Sequence, residues 1–329
     1  MTTYKEIRGS QIEAVATDPS NPVEGQVWYN TTSNVLKGEA ATTAGSWASG
    51  GNMNTARREM GAAGTQTSTL AFGGYTGSPP PSALTESYNG TSWTEVSDLN
   101  TGRMVGAGTG SSSTNALMSG GNSGGGGIGN VETWGGSSWT ETTDLNTVRD
   151  SAAGGGTNTA TLVFGGYNTT VIANTESWNG SNWTEVNDLN TARNYLGGTG
   201  VNNTLALAFG GAPYPSVSGL TEYYNGTNWT EVNDLNTPRR DVVGTGSSVT
   251  SALALAGYTT NPVGSTEVWN GTNWASDTSL SLARRWPGSG GTAASAVVFG
   301  GYATTVPAAT NATEEFTGAG PVTRTFTDS

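Results

Sequence analysis

One thirteen-residue phrase recurs along this chain and limits what it can become. TSWTEVSDLNTGR (91–103) returns as SSWTETTDLNTVR, SNWTEVNDLNTAR and TNWTEVNDLNTPR. Its tryptophan belongs to a longer series, Trp47, Trp93, Trp139, Trp183, Trp229 and Trp274, with spacings of 46, 46, 44, 46 and 45 residues. Ten residues after each stands an arginine: Arg57, Arg103, Arg149, Arg193, Arg239 and Arg284. Before the later tryptophans, an apolar run ends in paired glycines: LAFGGY (70–75), LVFGGY (162–167), LAFGG (207–211) and VVFGGY (297–302). LMSGG (117–121) and LALAGY (253–258) are weaker copies. A unit this short cannot bury its apolar face alone, so six copies must pack against one another.

Each unit reads as four short strands. The first is small and Gly-rich, as in GAAGT (61–65) and VVGTG (242–246), which suits a crowded axis. The second is the apolar run ending at the glycine pair. The third and fourth form a hairpin such as TESYNGTSWTEV (85–96), for which Asn89-Gly90 predicts a two-residue type I′ turn. No stretch has helical periodicity, and four strands per repeat with paired glycines and a trailing Trp predict an all-β propeller.

Composition removes whole classes of chemistry. The chain has no Cys and no His, which excludes thiolate nucleophiles, Ser-His-Asp triads and the common zinc and haem sites. Its 13 basic residues against 25 acidic ones leave a net charge of −12 and no basic footprint for nucleic acid. Nothing approaches the length of a membrane span. The opening MTTYKEIRGS lacks the apolar stretch of a secretory signal, so synthesis in a cytoplasm is expected. No cofactor and no metal site are expected.

The glycine doublet, following aromatic, Trp and trailing Arg resemble the Kelch repeat family over roughly residues 45–320. The aromatic-to-Trp spacing (Tyr88 to Trp93) is slightly shorter than the family's usual one, which marks a divergent branch. The resemblance implies a propeller of four-stranded blades. Copper-dependent oxidases of that fold use Cys and His ligands, which this chain lacks.

Six glycine-doublet strands limit the ring to six blades, although Trp47 and Phe326 together would offer seven outer strands. The Trp47 strand keeps the full register to Arg57, whereas PVTRTFT (321–327) has neither Trp nor Asn-Gly. The Trp47 strand is therefore expected to close the blade built from residues 284–316, leaving the C-terminal strand as an added edge or contact arm. The expected boundaries are a module over 1–45 and a propeller over 46–329.

The N-terminal segment DPSNPVEGQVWYNTTSNVLKG (18–38) is not a repeat; VWYN and NVLKG are expected to pair across Thr31–Ser33. Its wording from Asn21 to Gly38 resembles segments near the ends of bacteriophage tail-fibre and other virion proteins. The whole chain is similar to Kelch-like proteins encoded by phages of aquatic bacteria, including the TRTFTDS-type tail. This resemblance implies a virion-surface appendage released after cytoplasmic assembly and joined to other virion proteins through residues 1–50. Two rivals remain open: a self-assembling filament or capsid-decoration subunit, and a carboxylate-based glycan hydrolase of a fibre.

Strict recurrence marks the repeat arginines, the tryptophans and the glutamates (Glu86, Glu132, Glu176, Glu222, Glu267, Glu314) as scaffold, with charge-assisted hydrogen bonds anchoring strand ends. Binding is expected on the loops after the glycine doublets, which differ in every repeat. Tyr75, Tyr167, Tyr214, Tyr258 and Tyr302 lie on or beside them and suit a host glycan or a protein contact, a second copy included. Arg58, Arg240 and Arg285 follow the repeat Arg in only three units, which makes them better candidates than the repeat Arg itself. Catalytic residues are not expected.

Overall fold

The structure, a computed structural model, describes residues 12–19, 26–41, 44–213, 216–304, 308–319 and 321–326. Among them there is no helix, and so none long and apolar enough to cross a membrane. The chain divides into two compact units, residues 46–317 and residues 1–45 with 318–329.

The larger unit consists of repeated four-stranded antiparallel sheets. The first comprises β5 (Gly61–Thr65), β6 (Ser68–Phe72), β7 (Thr85–Tyr88) and β8 (Trp93–Val96), hydrogen-bonded in that order. Equivalent sheets begin at Ala107, Ala153, Gly197, Val243 and Gly288. In the last, Gly288–Gly291, Ser295–Phe299 and Thr313–Thr317 are completed by β4 (Ser46–Ser49), with Trp47 opposite Phe316.

Each strand carries the burial its composition requires. The second strands are continuously apolar because both faces are covered: Leu70, Ala71 and Phe72 are wholly buried. The first strands adjoin one another in sequence order, and Gly288–Gly291 lies against β5. Glycine is sterically required at this approach, since a Cβ on Gly155 would stand 2.8 Å from the carbonyl carbon of Thr199. The doublet has a different reason: Gly73 and Gly74 take φ of 66° and 98°.

The outer tryptophan of one sheet reaches back to its neighbour. Trp139 Nε1 donates to Thr85 Oγ1 at 3.0 Å, and its ring meets Phe72 edge-on at 4.8 Å. Trp93 does the same to the last sheet, donating to Thr313 Oγ1 at 3.1 Å and meeting Phe299 at 4.7 Å.

The outer hairpins differ from the expected two-residue turn. Tyr88 pairs directly with Trp93, so residues 89–92 form a four-residue loop. Only Gly90 has a positive φ there, whereas a type I′ turn needs two such residues. The Asn89 side chain explains the difference: its Oδ1 accepts from the N–H groups of Thr91 and Ser92, both at 2.9 Å.

The smaller unit is a sheet of β1 (Glu13–Val15), β2 (Val27–Asn30), β3 (Val35–Ala41) and the C-terminal strand Pro321–Phe326, in that order. β2 and β3 pair as the expected hairpin, Asn30 opposite Val35. Asp18 ties it together, accepting from Lys37 Nζ (2.6 Å), Trp28 Nε1 (3.0 Å) and Asn30 Nδ2 (2.7 Å). Those bonds, Lys37 first, pull its carboxyl down to about 2. The C-terminal strand pairs along β3, Leu36 opposite Phe326, so that strand goes with the N-terminal sheet and the repeat unit ends at 317. The Asn21-to-Gly25 part of the virion-like wording lies outside the described residues.

Candidate ligand-binding face

The repeat arginines are buried scaffold. Arg57, Arg103, Arg149 and Arg193 pair with Glu86, Glu132, Glu176 and Glu222 at 2.9, 3.1, 2.7 and 2.8 Å, and Arg239 and Arg284 pair with Glu267 and Glu314. Each joins the segment ending one unit to the third strand of the next. Arg149 also donates to the carbonyls of Gly165 (3.3 Å) and Asn174 (2.6 Å), fixing the carbonyl of a doublet glycine. Burial pulls the guanidinium pKa values down and the glutamates oppose it.

Two residues after each repeat arginine the chain performs an unusual turn. Glu59, Val105, Ser151, Tyr195, Asp241 and Trp286 all have φ between 50° and 59°. This left-handed conformation costs a non-glycine residue on the order of 1 kcal/mol. Backbone hydrogen bonds compensate for it. Val105 N–H donates to Glu59 O (2.8 Å), Ser151 to Val105 (2.8 Å), Tyr195 to Ser151 (2.9 Å), Asp241 to Tyr195 (2.9 Å), Trp286 to Asp241 (3.3 Å) and Glu59 to Trp286 (3.0 Å). The sixth bond returns to the first residue.

The residue just before each turn is tied to the loop after a glycine doublet. Arg58 bridges Tyr75, Met104 bridges Asn122, Asp150 bridges Tyr167, Asn194 bridges Ala212, Arg240 bridges Tyr258 and Arg285 bridges Tyr302. Connections and variable loops therefore share one face, and the side chains of the ring line a cavity of about 100 Å³ there.

The sequence candidates fall into two groups on that face. Arg58, Arg285, Tyr75, Tyr258 and Tyr302 gather around Trp286. The Arg58 guanidinium lies 5.0 Å from the Tyr75 ring centre, 5.5 Å from Tyr302 and 5.8 Å from Trp286. That of Arg285 lies 3.8 Å from Trp286 and 5.0 Å from both Tyr258 and Tyr302. Arg240 adds a contact to Tyr258 at 5.1 Å. Guanidinium planes thus occupy aromatic faces that sequence reasoning reserved for a ligand. Tyr167 stands apart: it is 41% exposed and shares a groove of about 610 Å³ with Arg240, Thr170, Val171, Asn194 and Tyr195. Tyr214 lies outside the described residues.

Asp241 and Asn194 were missed by sequence reasoning. Asp241 is only 3% exposed, and its carboxylate lies beside the Trp286 side chain without a well-formed hydrogen bond to either oxygen. Its nearest cations are Arg285 Nη1 at 3.8 Å and Arg240 Nε at 4.0 Å. Burial pushes its carboxyl up to about 6 against both arginines, and burial pushes the Glu59 carboxyl up as well. Asn194 Oδ1 is unpartnered too, in a residue 7% exposed. Their signal in the sequence was variation at fixed register: the position one after the repeat Arg reads Arg, Met, Asp, Asn, Arg, Arg, and the position two after it reads Glu, Val, Ser, Tyr, Asp, Trp.

No family model matches the chain, and no curated protein matches it.

Proposed function

We propose that the repeat unit is a six-bladed Kelch-like propeller closed by β4, and that it serves as a non-catalytic display and adhesion protein of a virion surface or tail-fibre-like appendage. The closure reading is supported by the hydrogen-bond chain that runs through six equivalent turns and returns to Glu59. The adhesion reading is carried by one observation. Side chains that vary from unit to unit converge on a single face, while the strictly repeated ones are buried as scaffold. The N-terminal sheet, with its virion-like wording, is the attachment module. Host-surface binding tests this: labelled full-length protein should bind cells of the host bacterium, and immunogold labelling should mark the particle surface. Labelled protein that binds no cells while the particle carries none of it overturns the proposal.

A carboxylate-based glycan hydrolase is the second reading, favoured by the raised carboxyls of Glu59 and Asp241 on one cavity. That cavity holds about 100 Å³, well under the ~300 Å³ at which ligand pockets begin, so binding is preferred. Depolymerisation of host polysaccharide that disappears in Asp241→Asn would reverse this order.

A further inference from the structure

We infer that the groove between Tyr167, Asn194 and Arg240 is a binding site for an uncharged saccharide. The inference rests on the display reading only in that this face must stand open to a ligand.

Three segments build the groove. The hairpin of Tyr167–Asn168 and Thr170–Val171, turned at Thr169 with φ 58°, forms one wall. The left-handed turn at Tyr195 presents Asn194 and its own ring as the second. Arg240, from the next connection, completes it. The volume of about 610 Å³ lies within the range of small-ligand sites.

The chemistry of the walls selects the ligand. Asn194 Oδ1 is a buried acceptor without a donor, and Arg240 Nε is a buried donor without an acceptor. Buried polar groups are ordinarily satisfied, so both await a partner that accepts and donates. A hydroxyl group does both, and adjacent hydroxyls on one ring serve both atoms. An anion would satisfy only the arginine. It would also meet Asp241, whose Oδ2 lies 4.0 Å from Arg240 Nε and offsets its charge. The remaining surface is Tyr167, Tyr195 and Val171, suited to the C–H face of a pyranose, with Thr170 as a further polar residue at the rim of the hairpin.

An array of neutral and acidic oligosaccharides, probed with the full-length protein, tests this. Signal on at least one neutral glycan is expected, weakened about tenfold by Asn194→Ala or by Tyr167→Ala, as loss of one buried hydrogen bond or one stacking face requires. Ile128→Ala, in a different loop, should leave the signal unchanged, and circular dichroism should report all three variants folded. Signal confined to acidic glycans, no signal on any glycan, or folded Asn194→Ala and Tyr167→Ala proteins that both bind as before each overturn the inference. If the protein still binds host cells in those cases, the display reading stands without it. Neutral-glycan binding without cell attachment leaves the site standing and removes the adhesion role.

Discussion

Glu176→Ala is the substitution that most directly tests how successive sheets are held. Four donors converge on this buried carboxylate. Oε2 accepts from Asn146 N–H (2.7 Å) and Asn146 Nδ2 (2.9 Å); Oε1 accepts from Thr147 N–H (3.0 Å) and Arg149 Nη2 (2.7 Å). Truncation leaves the Arg149 guanidinium buried with its charge uncompensated, at a cost of about 3–5 kcal/mol. It also orphans two backbone N–H groups at about 1–3 kcal/mol each, part of which water entering the void recovers. A net loss of roughly 4–6 kcal/mol follows, a large share of any domain's stability. Glu176→Gln keeps oxygen for backbone donors but not the charge, so about half that loss is expected. Arg149→Met combined with Glu176→Gln should then cost less than the sum of the singles by about 2 kcal/mol, since no buried charge is stranded. Urea unfolding followed by circular dichroism and by tryptophan fluorescence supplies the values, and agreement of the two probes licenses a single free energy. A Glu176→Ala loss under about 1 kcal/mol, or an additive cycle, would refute the reasoning.

Asp241 gives the repeat unit a pH dependence. Its carboxyl titrates near 6 when folded and near 3.8 otherwise, so between those values the native state binds the extra proton. Stability therefore rises as pH falls from about 6 to about 4, by about 3 kcal/mol in full, and Asp241→Asn should flatten that stretch of a urea-midpoint-versus-pH curve. Trp93→Ala removes both the edge contact with Phe299 and the hydrogen bond to Thr313, and should cost about 3–5 kcal/mol in the same unfolding assay. Thr313→Val, which loses only the hydrogen bond, should cost about 1 kcal/mol. Deleting 1–45 together with 318–329 should leave a monodisperse protein by size-exclusion chromatography. Deleting 1–50 as well removes β4, exposes the edge of Thr313–Thr317 and should produce aggregates.

Much of the repeat unit was legible because its signals are local and repeated. The run LAFGG announces a strand covered on both faces, and β6 is one. The register from Trp47 to Arg57 directed β4 towards the strand Thr313–Thr317, and those two strands pair. The C-terminal strand was legible as an added edge, which it is, but PVTRTFT does not name the sheet it joins, because its partner β3 lies some 280 residues away in sequence. The hairpin loop was misjudged for a different reason: Asn-Gly is read as a backbone turn, yet the Asn89 amide satisfies the loop itself. The groove is harder still. Tyr167, Asn194 and Arg240 belong to three different units, and only tertiary packing sets the distances among them.

The ring of left-handed turns explains how one face varies so widely without loss of the scaffold. A left-handed position usually selects Gly or Asn, because a Cβ there is strained. Here the strain is offset by backbone groups, each N–H donating to the carbonyl of the neighbouring turn. No side chain takes part in those bonds, so Glu59, Val105, Ser151, Tyr195, Asp241 and Trp286 can differ freely while the geometry stays fixed. The repeat Arg two residues earlier has the opposite arrangement, in which the side chain itself carries the bonds and no substitution is tolerated without loss. Two positions two residues apart thus separate into one whose side chain holds the fold and one whose side chain the turn does not dictate. Replacing Val105, a half-buried β-branched residue, by Asn, which adopts this conformation readily, should leave stability within about 0.5 kcal/mol, whereas Arg103→Lys, two residues away, should cost several-fold more because an ammonium cannot reproduce the planar fork. Equal costs at the two positions would show that the face is not decoupled from the scaffold.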